Sequence, residues 1–138
     1  MVNELLTGGD LRYYLSKDRL TFNEKQAQFI MACVILAVDF LHSNGIIHRD
    51  IRPENVIMDS SGYCKLVDFG QARLWRELNA SDTSGAAGYM APEIVLREKQ
   101  TTSVDYFSIG ILAHELMLKR RPWPGEDRAT YMQKLKES

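Results

Sequence analysis

Three polar side chains between residues 50 and 68 are of types that can accept a proton or bind a cation. Asp50 and Asn55 lie five residues apart in the run 48–55 (HRDIRPEN), and Asp68 follows Asn55 by thirteen residues. Carboxylate and amide oxygens from separate segments suit Mg²⁺, which keeps waters and substrate oxygens in its shell. Taken alone, each aspartate would be interpreted as a loop-capping carboxylate. We favour a functional role over loop capping because the three occur together in this order.

A predicted hairpin would return Asp68 toward Asn55. The apolar runs 56–58 and 64–67 flank the sequence DSSG at 59–62, which is typical of a turn between two strands. The polar stretch from 71 to 88 is predicted to be a long loop, and loops of that length inside a compact domain are usually functional.

Helices are predicted on both sides of these strands. Asp10 is expected to cap a short helix that ends at Lys17. Thr21 and Glu24 fit a capping box for a long helix that ends near Ser43. The middle of that helix is apolar on nearly every face, so we expect it to be buried. A second buried helix is predicted over 103–119 and an amphipathic one over 126–136.

Composition is that of an ordinary globular domain. The 138 residues are 45% apolar and carry a net charge of −1. This near-neutral charge argues against a basic surface that binds nucleic acid. The longest apolar run, 29–38, is too short to span a bilayer, so no membrane segment is expected. Cys33 and Cys64 do not form a disulfide framework, and we expect reduced thiols in the cytoplasm, with the nucleus as an alternative.

The order of three motifs resembles the C-terminal lobe of a eukaryotic protein kinase. These are HRDIRPEN at 48–55, DFG at 68–70 and APE at 91–93. GYMAPE at 88–93 resembles the Ser/Thr branch, and GGDL at 8–11 the basophilic group that includes cyclic-nucleotide-dependent and receptor-phosphorylating kinases. The resemblance implies a mainly α fold with a small β-hairpin, without the N-terminal lobe.

Family roles follow for the loop residues. Asp50 is expected to accept the proton of a substrate hydroxyl, while Asn55 and Asp68 bind Mg²⁺ and Asp68 contacts ATP through it. Arg52 stands where Ser/Thr kinases usually have lysine, and it is expected to neutralise the transferring phosphate. The alternative for Arg52 is a solvated loop arginine.

The resemblance also implies residues that bind the nucleotide and the protein substrate. Glu4 to Leu6 would form the hinge that pairs with adenine, Ile57 and Leu11 would pack under the ring, and Asp10 lies on the same side. Asp10, with Glu54 and Glu115, also falls at positions that contact arginines before the phosphorylated residue in basophilic kinases. The alternative for these three is solvated surface acids.

Three further residues are expected to act structurally. His48 and Phe69 match packing residues of the family's internal spine, and Asp105 matches the residue that anchors the backbone of the catalytic loop.

The resemblance covers residues 1–138 as a partial kinase domain, from the hinge through the helix that follows the buried central helix. We therefore expect phosphoryl transfer to protein Ser/Thr hydroxyls in a complete kinase and an inactive isolated chain. The alternative is a non-catalytic lobe that docks substrates or regulates a kinase, favoured by Arg52 and by Ala86, where the family usually has threonine. Expected partners are a protein substrate, and the missing N-terminal lobe or another kinase chain.

Overall fold

The computed structural model describes residues 5–16, 21–76, 85–123 and 127–137. These residues are mainly helical and contain two small antiparallel sheets. The helices are α1 (Leu11–Ser16), α2 (Glu24–Ser43), α3 (Pro92–Val95), α4 (Ser103–Leu118) and α5 (Arg128–Lys136). The strands are β1 (Ile46–Ile47), β2 (Val56–Met58), β3 (Cys64–Leu66) and β4 (Arg73–Leu74).

Helix α2 begins with a different cap from the one that the sequence predicted. Asn23, not Thr21, is the N-cap, and its side chain accepts a hydrogen bond from the backbone N–H of Gln26 (2.9 Å). The Gln26 side chain accepts in return from the N–H of Asn23 (3.0 Å), which completes the box. Both pairs have a three-residue spacing, and asparagine caps as well as threonine does, so the sequence alone did not decide between them.

The expectation that α2 is buried on nearly all faces is wrong. Its buried residues form one stripe at helical spacing, while Leu36 and Phe40 are each 70% exposed. By length and composition α2 could also cross a membrane, contrary to our estimate from the apolar run, although a core helix passes the same test. The buried stripe consists of Ala27, Ile30, Val34, Val38 and Leu41.

The hairpin prediction is confirmed. Strands β2 and β3 pair antiparallel, with Val56 opposite Leu66 and Met58 opposite Cys64. The predicted loop 71–88 is wrong in part, because β4 lies within it and pairs with β1. Two-residue strands carry too little periodicity to be recognised in a sequence.

Helix α4 contributes to two apolar clusters that form the core. Its residues Leu112 and Leu116 are fully buried against α2 and the hairpin. Its first turn contributes Val104 to a second cluster, in which Tyr131 of α5 is completely buried. One helix therefore fixes the hairpin relative to the C-terminal helices.

Candidate active site

The loop 48–55, which we call the catalytic loop, is anchored at its start by a buried carboxylate. Asp105 of α4 is fully buried and accepts hydrogen bonds from the backbone N–H groups of His48 (2.9 Å) and Arg49 (2.8 Å). The His42 ring lies 2.8 Å from the same carboxylate. Arg49 has a φ of 67°, a left-handed conformation that side chains rarely adopt without such support. The anchoring contacts expected of Asp105 are present.

Asp50 and Asn55 are joined directly across this loop. The Asn55 amide nitrogen donates to the Asp50 carbonyl (2.9 Å) and to one Asp50 carboxylate oxygen (2.8 Å). Asn55 is buried and Asp50 is partly exposed. With both amide hydrogens committed to Asp50, the amide oxygen of Asn55 is the atom left to accept a cation.

The hairpin places Asp68 next to Asn55. The N–H of Val67 donates to the Asn55 carbonyl (2.9 Å), so Asp68 begins one residue from a backbone contact with the catalytic loop. Asp68 is exposed, has a φ of 61°, and accepts a hydrogen bond from the Gly70 N–H (3.1 Å). The backbone contact thus brings the segment that carries the exposed Asp68 carboxylate to the end of the catalytic loop.

The donor atoms of Asn55 and Asp68 suit Mg²⁺. Both supply oxygen, and Mg²⁺ is usually bound through one or two protein carboxylates with substrate phosphates and waters completing the shell. Within the described residues, no cluster of three or more His, Cys, Asp or Glu side chains could hold a metal ion.

His48 and Phe69 make the contact that the resemblance predicted. Their ring centroids are 5.2 Å apart in an edge-to-face arrangement. The backbone N–H of Asp50 donates to Nδ1 of His48 (3.3 Å), and Nε2 lies 3.2 Å from the Val67 carbonyl. Burial lowers the pKa of His48, although the carboxylate of Asp105 opposes this shift. A neutral ring with its proton on Nε2 satisfies both contacts.

The surface predicted to bind the nucleotide lies where residues 8–10 run alongside β2. The N–H of Gly8 donates to the Met58 carbonyl (3.1 Å), and a Cβ on Gly8 would lie 2.2 Å from that oxygen, so only glycine fits. Asp10 forms a β-bridge with Ile57, and its carboxylate caps α1 by accepting from the Tyr13 N–H (2.8 Å).

The structure brings most of the predicted nucleotide residues together. Leu11 is fully buried directly after the Asp10–Ile57 bridge, and Ile57 is partly exposed. Leu6 lies just before this segment and is partly exposed. Glu4 lies outside the described residues, so its predicted place in the hinge stays a prediction.

The predicted substrate-binding acids already have partners within the chain. Arg12 of α1 pairs with Glu54 through Nε (2.8 Å) and with Glu115 through Nη1 (2.8 Å). Tyr89 donates to Glu115 through its hydroxyl and accepts from Nη2 of Arg12 (2.7 Å). Glu54 and Glu115 are therefore not the solvated surface acids of the alternative interpretation. Their contact with a substrate arginine stays a prediction, and Arg12 occupies both carboxylates in this structure.

Arg52 faces an open cleft. Its Nε lies 3.2 Å from Glu54, and its side chain is about one-third exposed. The cleft has a volume of about 450 Å³ and borders residues 86–89, including Ala86 in the predicted threonine position.

Comparison with known proteins identifies the family. The model of the protein kinase domain matches residues 1–138. The chain belongs to the protein kinase family. This kinase chain is 40% identical over 137 residues to a probable serine/threonine-protein kinase of Dictyostelium discoideum, a match that covers 98% of the chain and 30% of that protein.

Two human relatives are similarly close. Ribosomal protein S6 kinase alpha-3 is 41% identical over 134 residues, covering 96% of this chain and 18% of the relative. cGMP-dependent protein kinase 2 is 43% identical over 129 residues, covering 93% and 17% respectively. The kinase chain thus spans less than a third of the length of each of these three relatives. The resemblance to Ser/Thr kinases is confirmed.

Sequence reasoning missed Arg12. The sequence showed only a basic residue on a short helix, and its partners lie 42 and 103 residues away along the chain. A local pattern cannot indicate such contacts. The only available signal was that two acids assigned to one surface would need a cation when buried.

Proposed function

We propose that this kinase chain carries out Mg-ATP-dependent phosphoryl transfer to Ser/Thr hydroxyls of proteins, as part of a complete kinase. The observation that carries the proposal is the junction of Asp50, Asn55 and the Val67–Asp68 segment by three short hydrogen bonds. Membership of the kinase family and the named Ser/Thr kinases among the relatives support the reaction class.

Each loop residue has a distinct part in this reaction. Asp50 accepts the proton of the incoming hydroxyl and orients it, and its hydrogen bond from Asn55 fixes the carboxylate. Asn55 and Asp68 would hold Mg²⁺, which neutralises charge on the nucleotide phosphates when bound. Arg52 supplies a permanent positive charge at the cleft.

Positioning is the main contribution of the remaining residues. Asp105 holds the backbone of His48 and Arg49, and the His48–Phe69 contact links the catalytic loop to the Asp68 segment. Phosphoryl transfer depends chiefly on such placement and on electrostatic stabilisation, because the protein itself contributes little covalent chemistry. Residues 8–10, together with Ile57, form the surface proposed for adenine, and the fully buried Leu11 supports it from the core.

Asp50→Asn tests the proposal. Asparagine can still accept the hydrogen bond from Asn55 but cannot take a proton, so the fold survives and phosphorylation falls by roughly 10²- to 10⁴-fold. Transfer of radiolabel from ATP to a protein substrate measures this on the natural full-length protein. Asp39→Asn, at an exposed aspartate of α2, is the matched control and keeps full activity. Undiminished transfer by the Asp50 variant would remove the role proposed for Asp50.

A docking or regulatory lobe remains the second candidate. The observation in its favour is Ala86, which lines the cleft where the resemblance leads us to expect a threonine hydroxyl. A natural full-length protein that binds Mg-ATP in a thermal-shift titration but transfers no phosphate would support this candidate over the enzyme.

A further inference from the structure

An arginine of the chain itself fills the acidic cluster beside the catalytic loop. Arg12 lies between Glu54 and Glu115 with 2.8 Å contacts to both, and Tyr89 ties it to Glu115 from the other side. Four side chains from α1, the catalytic loop, the segment before α3, and α4 therefore form one hydrogen-bonded group.

Burial makes this pairing necessary. Glu115 is 6% exposed, and a buried carboxylate without a cation is strongly destabilising. Burial alone would lower the pKa of Arg12, but its hydrogen bonds to Glu115 and Glu54 outweigh burial and raise it above the usual range. Arg12 is thus a permanent cation that occupies both carboxylates.

The adjoining cleft consequently presents positive charge. Its charged lining consists of Arg12, Arg52, Arg121, Glu54 and Glu115. Arg121 lies against Gly88, where a Cβ would approach its Nη1 to 1.6 Å, and its guanidinium is 5.7 Å from the centre of the Tyr89 ring. None of the carboxylates in the described ranges forms an ion pair with Arg121, whereas both glutamates are paired.

The cleft adjoins the proposed site of phosphoryl transfer. Arg52 and Glu54 line it and belong to the same loop as Asp50 and Asn55. Residues 86–89 also line it, and Gly85, just before them, packs on that loop, since a Cβ at Gly85 would lie 2.8 Å from the Arg49 carbonyl. Because Arg52 lies two residues from Asp50 along this loop, we expect residues that flank a hydroxyl presented to Asp50 to reach this cleft.

We propose that the cleft binds a side chain next to the phosphorylated residue of the protein substrate, and that Arg12 sets its selectivity, rejecting arginine and lysine and accepting acidic side chains. This inference rests on the proposed function. It reverses the basic preference that the positions of Glu54 and Glu115 suggested, because Arg12 takes the place that a substrate arginine would occupy.

Peptide selectivity tests the role of Arg12. Fluorescently labelled serine peptides carry a single Arg, Glu or Ala at each of four positions on either side of the serine, and anisotropy measures their binding to the natural full-length protein. The unaltered protein binds no Arg peptide more tightly than the Ala peptide and binds at least one Glu peptide several-fold more tightly. Arg12→Met frees the two glutamates and makes one Arg peptide bind about tenfold more tightly than its Ala counterpart, a change of about 1.4 kcal/mol.

Two further variants complete the design. Arg12→Met combined with Glu115→Gln leaves no buried unpaired charge, so it folds even if the single variant does not, and it loses much of the gain for Arg peptides. Arg97→Met removes an exposed arginine away from the cleft and keeps the original selectivity.

The outcomes separate the two proposals. Any of three results would overturn the role of Arg12. These are a preference of the unaltered protein for Arg peptides, a preference in Arg12→Met and the double variant that is the same as in the unaltered protein, and a failure of every peptide to bind. Phosphoryl transfer to bound peptides is measured in parallel. If the natural full-length protein transfers no phosphate while Arg12→Met still changes peptide selectivity, the proposed function is contradicted but the role of Arg12 is not.

Discussion

At the scale of single residues, the contacts of the catalytic loop were more predictable than those of its surroundings. Asp105, His48 and Phe69 were assigned structural parts from motifs, and each makes the expected contact. Arg12 had no motif, because its importance comes from the folded position of Glu115. Residues that act on a shared ligand leave a sequence pattern, whereas residues that neutralise a buried charge need only be nearby in space.

Stability should fall as the pH drops below neutrality because of His48. Its pKa in the folded chain lies below the ordinary value of 6.5, since burial disfavours the charged ring. Below pH 6.5 the unfolded chain therefore binds more protons than the folded chain. The stabilisation that neutral His48 contributes is fully present above pH 6.5, and it is lost as the pH falls through the lower pKa of the folded state.

Urea denaturation at a series of pH values checks this expectation. His48→Phe keeps a ring against Phe69 but cannot titrate, so its free energy of unfolding should depend less steeply on pH than that of the unaltered chain. If the free energy of unfolding depends equally steeply on pH in the two proteins, a group other than His48 controls the loss of stability at acidic pH.

At the scale of elements, long segments were predicted in type but not always in detail. The hairpin and the end of α2 at Ser43 agree with expectation, because turn residues and a following glycine with φ of 70° fix them locally. The cap of α2 and the β1–β4 pair were missed. Two equally spaced polar pairs competed for the cap, and a two-residue strand is stabilised only by its partner.

The cap of α2 is tested by a pair of alanine substitutions. Asn23→Ala removes the acceptor of the Gln26 N–H and should lower the free energy of unfolding by about 1 kcal/mol. Thr21→Ala, at an exposed position before the cap, should change it by less than about 0.5 kcal/mol. Denaturant titration followed by circular dichroism gives both values, and a larger loss for Thr21→Ala would return the cap to that residue.

At the scale of the whole molecule, α4 makes the two core clusters interdependent. It contributes Leu112 to one and Val104 to the other, and the Tyr131 hydroxyl joins α5 to the Met90 carbonyl (2.8 Å). Burial of Tyr131 raises its phenol pKa to about 12, so this bond persists across ordinary pH. Since neither cluster can lose α4 and remain packed, we expect one cooperative unfolding transition.

Alanine substitutions in each cluster test this coupling. Leu112→Ala and Ile94→Ala each remove a buried aliphatic side chain and should cost about 2–5 kcal/mol, while Leu118→Ala at an exposed position costs little. In a Trp75→Phe background, tryptophan fluorescence reports on Trp123 beside the second cluster, and circular dichroism reports on all helices. The two signals should shift together in both core variants, and separate midpoints would show independent units.

The left-handed backbone at Asp68 has a consequence for laboratory evolution. A side chain in that conformation costs on the order of 1 kcal/mol, which glycine would not incur. A library screened only for heat resistance should therefore drift toward glycine at position 68, whereas a library screened for turnover should retain the carboxylate. Thermostability and catalysis would then compete at a single codon.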